Sequence, residues 1–173
     1  MQNLHFSAQE REKLEKALKL FFERSSVKQA TVKGLKPQEI SFMIRGFLVD
    51  YGFFVDCSFG VGNKAKDTWI IFIRKDIPNI KASWGVYPRV CFHTASNQIE
   101  VSIDISTSKH KITKKLYEFV AKPKVSNYNS QNPQNAYFSY PNYDIDSIIT
   151  KLEQDLQWFL QLPTSELEHT HKI

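Results

Sequence analysis

The chain has 173 residues, 42% of them hydrophobic and 13% aromatic, which suits one domain that buries its own core. Its net charge of +5 favours polyanionic partners but does not indicate which fold the chain adopts. Cys57 and Cys91 form no Cys-x-x-Cys pair, the N-terminus is polar, and no apolar run reaches the ~18 residues of a membrane span. These features argue against a disulfide scaffold, a secreted protein and a membrane protein, so we expect a cytoplasmic protein with reduced thiols.

Two helices are predicted in the N-terminal third. Ser7 followed by Glu10 is typical of a capping box, which starts a helix over 7–25. Pro37 favours the first turn of a second helix over 37–50, and Gly52 ends it.

Strands follow, and their short connections favour an antiparallel or mixed meander. They are predicted over 53–59, 69–74, 84–94, 98–106 and 137–140, with turns over 76–82 and at Ser96-Asn97. A helix over 109–121, an exposed loop over 122–135 and a last helix over 145–162, capped by Asp144, complete the chain. The predicted fold class is α/β in the broad sense (α+β). A mixed or antiparallel central sheet is flanked by helices in a single domain over 1–163, with a tail or linker start over 164–173.

A glycine-containing loop follows the first predicted strand. It comprises Ser58, Phe59, Gly60, Val61, Gly62 and Asn63. Glycine lets a backbone come close to a ligand, because no Cβ stands in the way. Lys64 and Lys66 lie on the same loop, so we expect it to approach phosphates.

The third and fourth strands predict a polar surface with an aromatic border. Side chains two residues apart share a face, so Tyr87, Arg89, Cys91 and His93 point together, and Val86, Val90 and Phe92 point into the core. On the next strand, Ser102 and Asp104 lie on the face opposite Val101 and Ile103.

A second basic cluster follows the fourth strand. It contains Lys109, Lys111, Lys114, Lys115, Lys122 and Lys124. Such a patch is typical of sequence-independent attraction to nucleic-acid phosphates, although a solvated helix face has the same composition.

Catalytic and metal-binding patterns are weak. The segment 60–66 lacks P-loop spacing, and the five histidines show no ligand spacing with the cysteines, so no metal or cofactor is expected in this domain. Asp104 is a candidate first carboxylate of a small metal-dependent nuclease, which stays an alternative. No residue is assigned a catalytic role.

Several of these elements resemble the N-terminal DNA-recognition domain of the McrB family, the GTP-dependent subunit of modified-cytosine-specific restriction systems. The resemblance rests on the run from Ser58 to Asn63, on Trp69 with its apolar continuation, on the Gly85-Val86-Tyr87-Pro88 strand and on Ile105-Ser106. It covers residues 53–162.

The resemblance implies a module that binds double-stranded DNA and flips a modified cytosine into a pocket. By position, Trp69 and Tyr87 match the aromatic walls, Cys91 matches an apolar wall, and the glycine loop matches the segment that approaches DNA. It also implies an AAA+ GTPase motor and a McrC-type nuclease subunit as partners, with GTP and Mg²⁺ belonging to those partners.

Two inferences add to this site. Asp104 or Ser102 is a candidate acceptor for the cytosine amino group, because carboxylates suit that donor. Arg89 joins the lysines as a candidate DNA contact. The alternatives are a reader of unmodified DNA on the same fold, the nuclease above, and a protein-interaction domain with an incidental basic face.

Overall fold

The computed structural model describes residues 4–27, 36–59, 67–77, 85–106 and 135–164. The elements in this part of the chain are α1 (Ala8–Ser26), α2 (Pro37–Tyr51), β1 (Phe53–Ser58), β2 (Asp67–Arg74), β3 (Gly85–His93), β4 (Gln98–Ser106), β5 (Ala136–Ser139) and α3 (Ile145–Leu160). The predicted α+β arrangement around a central sheet is confirmed, and the sheet is antiparallel throughout. The predicted helix over 109–121 and most of the segments 122–135 and 164–173 lie outside the described residues.

Local sequence signals account for the helix ends. The Ser7 hydroxyl accepts from the Glu10 backbone N–H at 3.1 Å, and the Glu10 carboxylate accepts from the Ser7 N–H at 2.9 Å, which completes the predicted capping box. Gly52 ends α2 with φ 106°, a left-handed conformation that favours glycine. α3 ends at Leu160, two residues earlier than predicted, because Gln161 and Leu162 close a tight turn onto the carbonyls of Trp158 and Phe159.

The five strands pair in chain order, β1-β2-β3-β4-β5. Pro88 lies in the middle of β3, where it lacks an N–H for the ladder. The pairing of β3 with β2 stops at Arg89, next to this proline, whereas the pairing with β4 continues to Gly85. β2 begins at Asp67, two residues before the predicted start, and this extension sets Asp67 opposite His93.

The two faces of the sheet have different partners. One face, called the core face below, packs against the buried residues of all three described helices in a single apolar cluster. β3 contributes Val86, Val90 and Phe92 to this cluster, as predicted. The opposite face, called the outer face below, carries the alternate residues of each strand, including Trp69 on β2 and Glu100 on β4.

A buried arginine fastens the sheet to the end of α3. The Arg74 guanidinium donates to the backbone carbonyls of Phe159 at 2.9 Å and Leu162 at 2.7 Å, and it pairs with Asp76 at 2.7 Å. It thereby satisfies carbonyls that a helix end leaves without an intrahelical donor.

Among the helices described, none has both the length and the apolar character that a membrane span requires.

Candidate functional site

The outer face brings together the polar side chains that strand alternation predicted. Tyr87, Arg89, Cys91 and His93 lie opposite Asp104, Ser102, Glu100 and Gln98 in the register of β3 with β4. Since directly opposed residues in an antiparallel pair point to the same side, the predicted shared face is confirmed.

A buried carboxylate lies at the centre of this face. Glu100 is only 6% exposed, and one of its oxygens, Oε2, accepts from Arg89 Nη2 at 2.7 Å and from the Ser102 hydroxyl at 2.7 Å. The other oxygen, Oε1, lies 3.3 Å from His93 Nε2. Burial alone raises the pKa of Glu100, but the hydrogen bonds from Ser102 and Arg89 outweigh it, so the pKa lies below its ordinary value.

Arg89 links three acidic or polar groups of β4. Besides Glu100, its Nε contacts the Ser102 hydroxyl at 3.3 Å and its Nη1 lies 3.1 Å from Asp104 Oδ2. Burial lowers the pKa of the guanidinium, while Asp104 and Glu100 raise it above its ordinary value, so Arg89 stays a cation. The result is a partly buried network in which the charge of Arg89 is compensated by the carboxylates of Glu100 and Asp104.

One row of directly opposed residues crosses all five strands. It runs Ser58, Trp69, Cys91, Glu100, Tyr137. Trp69 is partly exposed and Tyr137 is 52% exposed, so solvent reaches two aromatic rings on either side of the buried Cys91 and Glu100.

Tyr87 differs from these rings because it is buried, with 4% exposure, although it is not part of the core cluster. It lies on β3 at a distance of about 13 Å from Cys91, with Arg89 between them. Trp69 lies opposite Cys91, and two rings that enclose a flat group each lie about 4.5–7 Å from it, so the spacing of Trp69 and Tyr87 is near the upper end of what one base can span.

A second cluster adjoins the first at the start of β2. One ligand-type atom from each of Asp67, Cys91 and His93 lies within 4.8 Å of the others, and His93 Nδ1 is 3.3 Å from Asp67 Oδ1. Cys91 is buried, and this burial raises the pKa of its thiol to about 12. The thiol is therefore neutral at physiological pH.

The remaining predicted DNA contacts fall outside the described part of the chain. They are Gly60, Val61, Gly62, Asn63, Lys64, Lys66, Lys109, Lys111, Lys114 and Lys115. Ser58 is described, and it ends β1 opposite Trp69.

Glu100, Asp67 and Tyr137 were not among the site residues predicted from the sequence. Glu100 looked like an ordinary solvated position in an alternating strand, and its burial depends on the pairing of Cys91 with Glu100. The sequence did contain a signal for this burial, namely the tight turn at 94–97. That turn sets His93 opposite Gln98, and this pair fixes all the other residue pairs between β3 and β4. Asp67 was missed because β2 was predicted to begin at Trp69.

No protein-family model matches the chain, and no curated protein is significantly similar to it in sequence.

Proposed function

We propose that this chain is a DNA-binding module without catalysis of its own, which recognises a modified cytosine flipped out of the duplex onto the outer face of the sheet. The observation that supports this best is the partly exposed Trp69 ring, which lies on the same face of the sheet as the partly exposed carboxylate of Asp104. A stacking surface and an acceptor for the amino group are two of the groups that a flipped cytosine needs.

Trp69 is the proposed stacking surface. Extruding a base costs a few kcal/mol, and stacking it on an aromatic ring returns about 1–3 kcal/mol. Phosphate contacts have to supply the remainder. Tyr87 is the proposed second wall, and because it is buried, its neighbours have to move before a base reaches it.

Asp104 is the better of the two predicted acceptors for the cytosine amino group. Its side chain is 35% exposed and Arg89 holds it in place at 3.1 Å. Ser102 is 2% exposed, and its hydroxyl already donates to Glu100. A carboxylate accepting from the exocyclic amine favours cytosine over thymine, which presents a carbonyl oxygen there.

The same ion pair speaks against the nuclease alternative. Asp104 faces a guanidinium, and a catalytic Mg²⁺ would have to compete with that cation for the carboxylate.

In this proposal the module works in the cytoplasm and brings other activities to modified sites. The basic residues on the glycine loop and over 109–115 hold the DNA backbone. The partners are an AAA+ GTPase motor and a McrC-type nuclease subunit, which use GTP and Mg²⁺.

The proposal predicts that Trp69→Ala removes the preference for modified DNA. We expect the affinity for a duplex with one 5-methylcytosine to fall about 5- to 150-fold, the equivalent of one lost stack. Affinity for the matched unmodified duplex changes little, because phosphate contacts dominate it. Fluorescence anisotropy at fixed salt measures both.

Phe42→Ala is the matched control, because Phe42 is an aromatic residue of α2 that is 66% exposed and far from the outer face. It should leave both affinities unchanged. Equal losses on the two duplexes in Trp69→Ala would contradict a base pocket and favour general DNA binding.

A further inference from the structure

We propose that Asp67, Cys91 and His93 bind one divalent transition-metal ion of the zinc type on the outer face, where the first residue of β2 meets the last residue of β3. The proposal rests on these side chains alone and holds whether or not the chain binds DNA.

The backbone presents the three side chains in a fixed arrangement. Asp67 and His93 are directly opposed in the β2–β3 register, and Cys91 lies two residues before His93 on the same face. Because all three are on paired strands rather than loops, the sheet fixes the backbone positions from which their side chains extend.

The spacing of the ligand atoms is close to that of a tetrahedral site. Bonds of about 2.0–2.3 Å place tetrahedral ligand atoms about 3.3–3.8 Å apart. The contact between Asp67 Oδ1 and His93 Nδ1 is already 3.3 Å, and all three atoms lie within 4.8 Å of one another. Small rotations of the side chains therefore complete the geometry.

Glu100 orients the imidazole toward this position. Its Oε1 lies 3.3 Å from His93 Nε2, so a proton on Nε2 makes a hydrogen bond to a buried carboxylate and leaves the Nδ1 lone pair facing Asp67. An imidazole between two carboxylates satisfies both of them only when each ring nitrogen carries a proton or a metal ion. A metal ion between Nδ1 and Asp67 meets this requirement, and a carboxylate on the second ring nitrogen is the usual partner of a metal-bound histidine.

The donor set selects the kind of ion. One sulfur, one nitrogen and one oxygen suit Zn²⁺ or Co²⁺ and disfavour Mg²⁺ and Ca²⁺, which prefer oxygen ligands alone. Binding replaces the proton on the Cys91 thiol, so one proton is released for each ion bound and affinity rises with pH. Three protein ligands leave a fourth position for water or for a ligand atom.

Cobalt titration of the whole chain tests the site, because a thiolate bound to Co²⁺ gives a charge-transfer absorption in the near ultraviolet. We expect wild-type protein to bind one Co²⁺ with this band, and Zn²⁺ to displace it. Cys91→Ala should abolish the band. Cys57→Ala is the matched control, since Cys57 is the other buried cysteine but lies on the core face, and it should retain the band.

Asp67→Ala provides a second variant that leaves the core intact, because Asp67 is exposed. Removing a residue that only hydrogen-bonds to a metal ligand already weakens metal binding about 10- to 100-fold. Because Asp67 is proposed as a ligand itself, we expect Asp67→Ala to weaken Co²⁺ binding by at least that much. Absence of the charge-transfer band in wild-type protein at millimolar Co²⁺, or a band that persists in Cys91→Ala, would overturn the proposal.

Discussion

Phe92 and His93 are neighbours on β3, point to opposite faces of the sheet and are held in different ways. Phe92 is fully buried and packs its ring against Phe22 and Tyr140 on the core face. His93 lies between the carboxylates of Asp67 and Glu100 on the outer face. Apolar burial is non-directional and tolerant, whereas a buried polar network stabilises only when every member has its partner. The core face therefore contributes most of the stability, and the outer face carries the polar network on which both proposals rest.

The largest effect expected from this comparison is the loss of Phe92. Phe92→Ala should lower the free energy of unfolding by about 3–5 kcal/mol, because it removes a buried ring and leaves a cavity. His93→Ala, one residue away, should cost about 1 kcal/mol, since its ion pairs are partly exposed. Urea denaturation with a common slope measures both. Similar losses in the free energy of unfolding for the two variants would contradict the conclusion that the core face contributes most of the stability.

Asp155 on α3 is a charged exception among the apolar residues that the helices bury. Its substitution should have a smaller effect than that of Phe92, and of opposite sign. Its carboxylate is fully buried on α3, lies against Lys151, and leaves Oδ2 without a hydrogen-bond partner among the described residues. Burial raises the pKa of Asp155 to about 6, despite the attraction of Lys151. An acid with a raised native pKa loses stability as the pH rises from the unfolded pKa through the native one.

Asp155→Asn should therefore stabilise the protein at pH 7.5 by about 3 kcal/mol, the scale of a pKa displacement of this size. Thermal unfolding across pH is the measurement, and the gain should vanish near pH 4, where wild-type Asp155 is protonated. A gain that does not depend on pH would point to packing rather than to charge.

A smaller effect than that of Asp155→Asn is expected from Glu100→Gln on the outer face. The pKa of Glu100 is lowered, so its charge stabilises the native state above the ordinary carboxyl pKa, and this contribution is lost as the pH falls through the native value. The substitution should cost about 1–2 kcal/mol at neutral pH, and less in acid. An equal cost at both pH values would contradict a role for the charge.

Much of the fold followed from local signals. The capping box at Ser7, the left-handed Gly52 and the alternation in β3 each depend on a few adjacent residues, so the sequence alone predicted them. The end of α3 was misplaced by two residues because residues 161–162 continue the helical spacing of apolar side chains while their backbone closes a turn.

The site was predicted less completely, because it depends on register between strands. Alternation predicted that Arg89 and His93 share a face, but not that both contact Glu100. That contact follows only once His93 is set opposite Gln98. Likewise, Asp67 comes close to Cys91 only because β2 begins at Asp67. The first residue of a strand is predicted poorly from the pattern of a single sequence. The function of the face stays a proposal.

The most direct test of the central claim compares wild type with Trp69→Ala on two duplexes that differ by one cytosine methyl group. Wild-type protein should prefer the methylated duplex, and the variant should bind both with the affinity that wild type shows for the unmethylated one. If wild type bound the two duplexes equally, or if Trp69→Ala kept the full preference, the outer face would not be the site that reads the modified base.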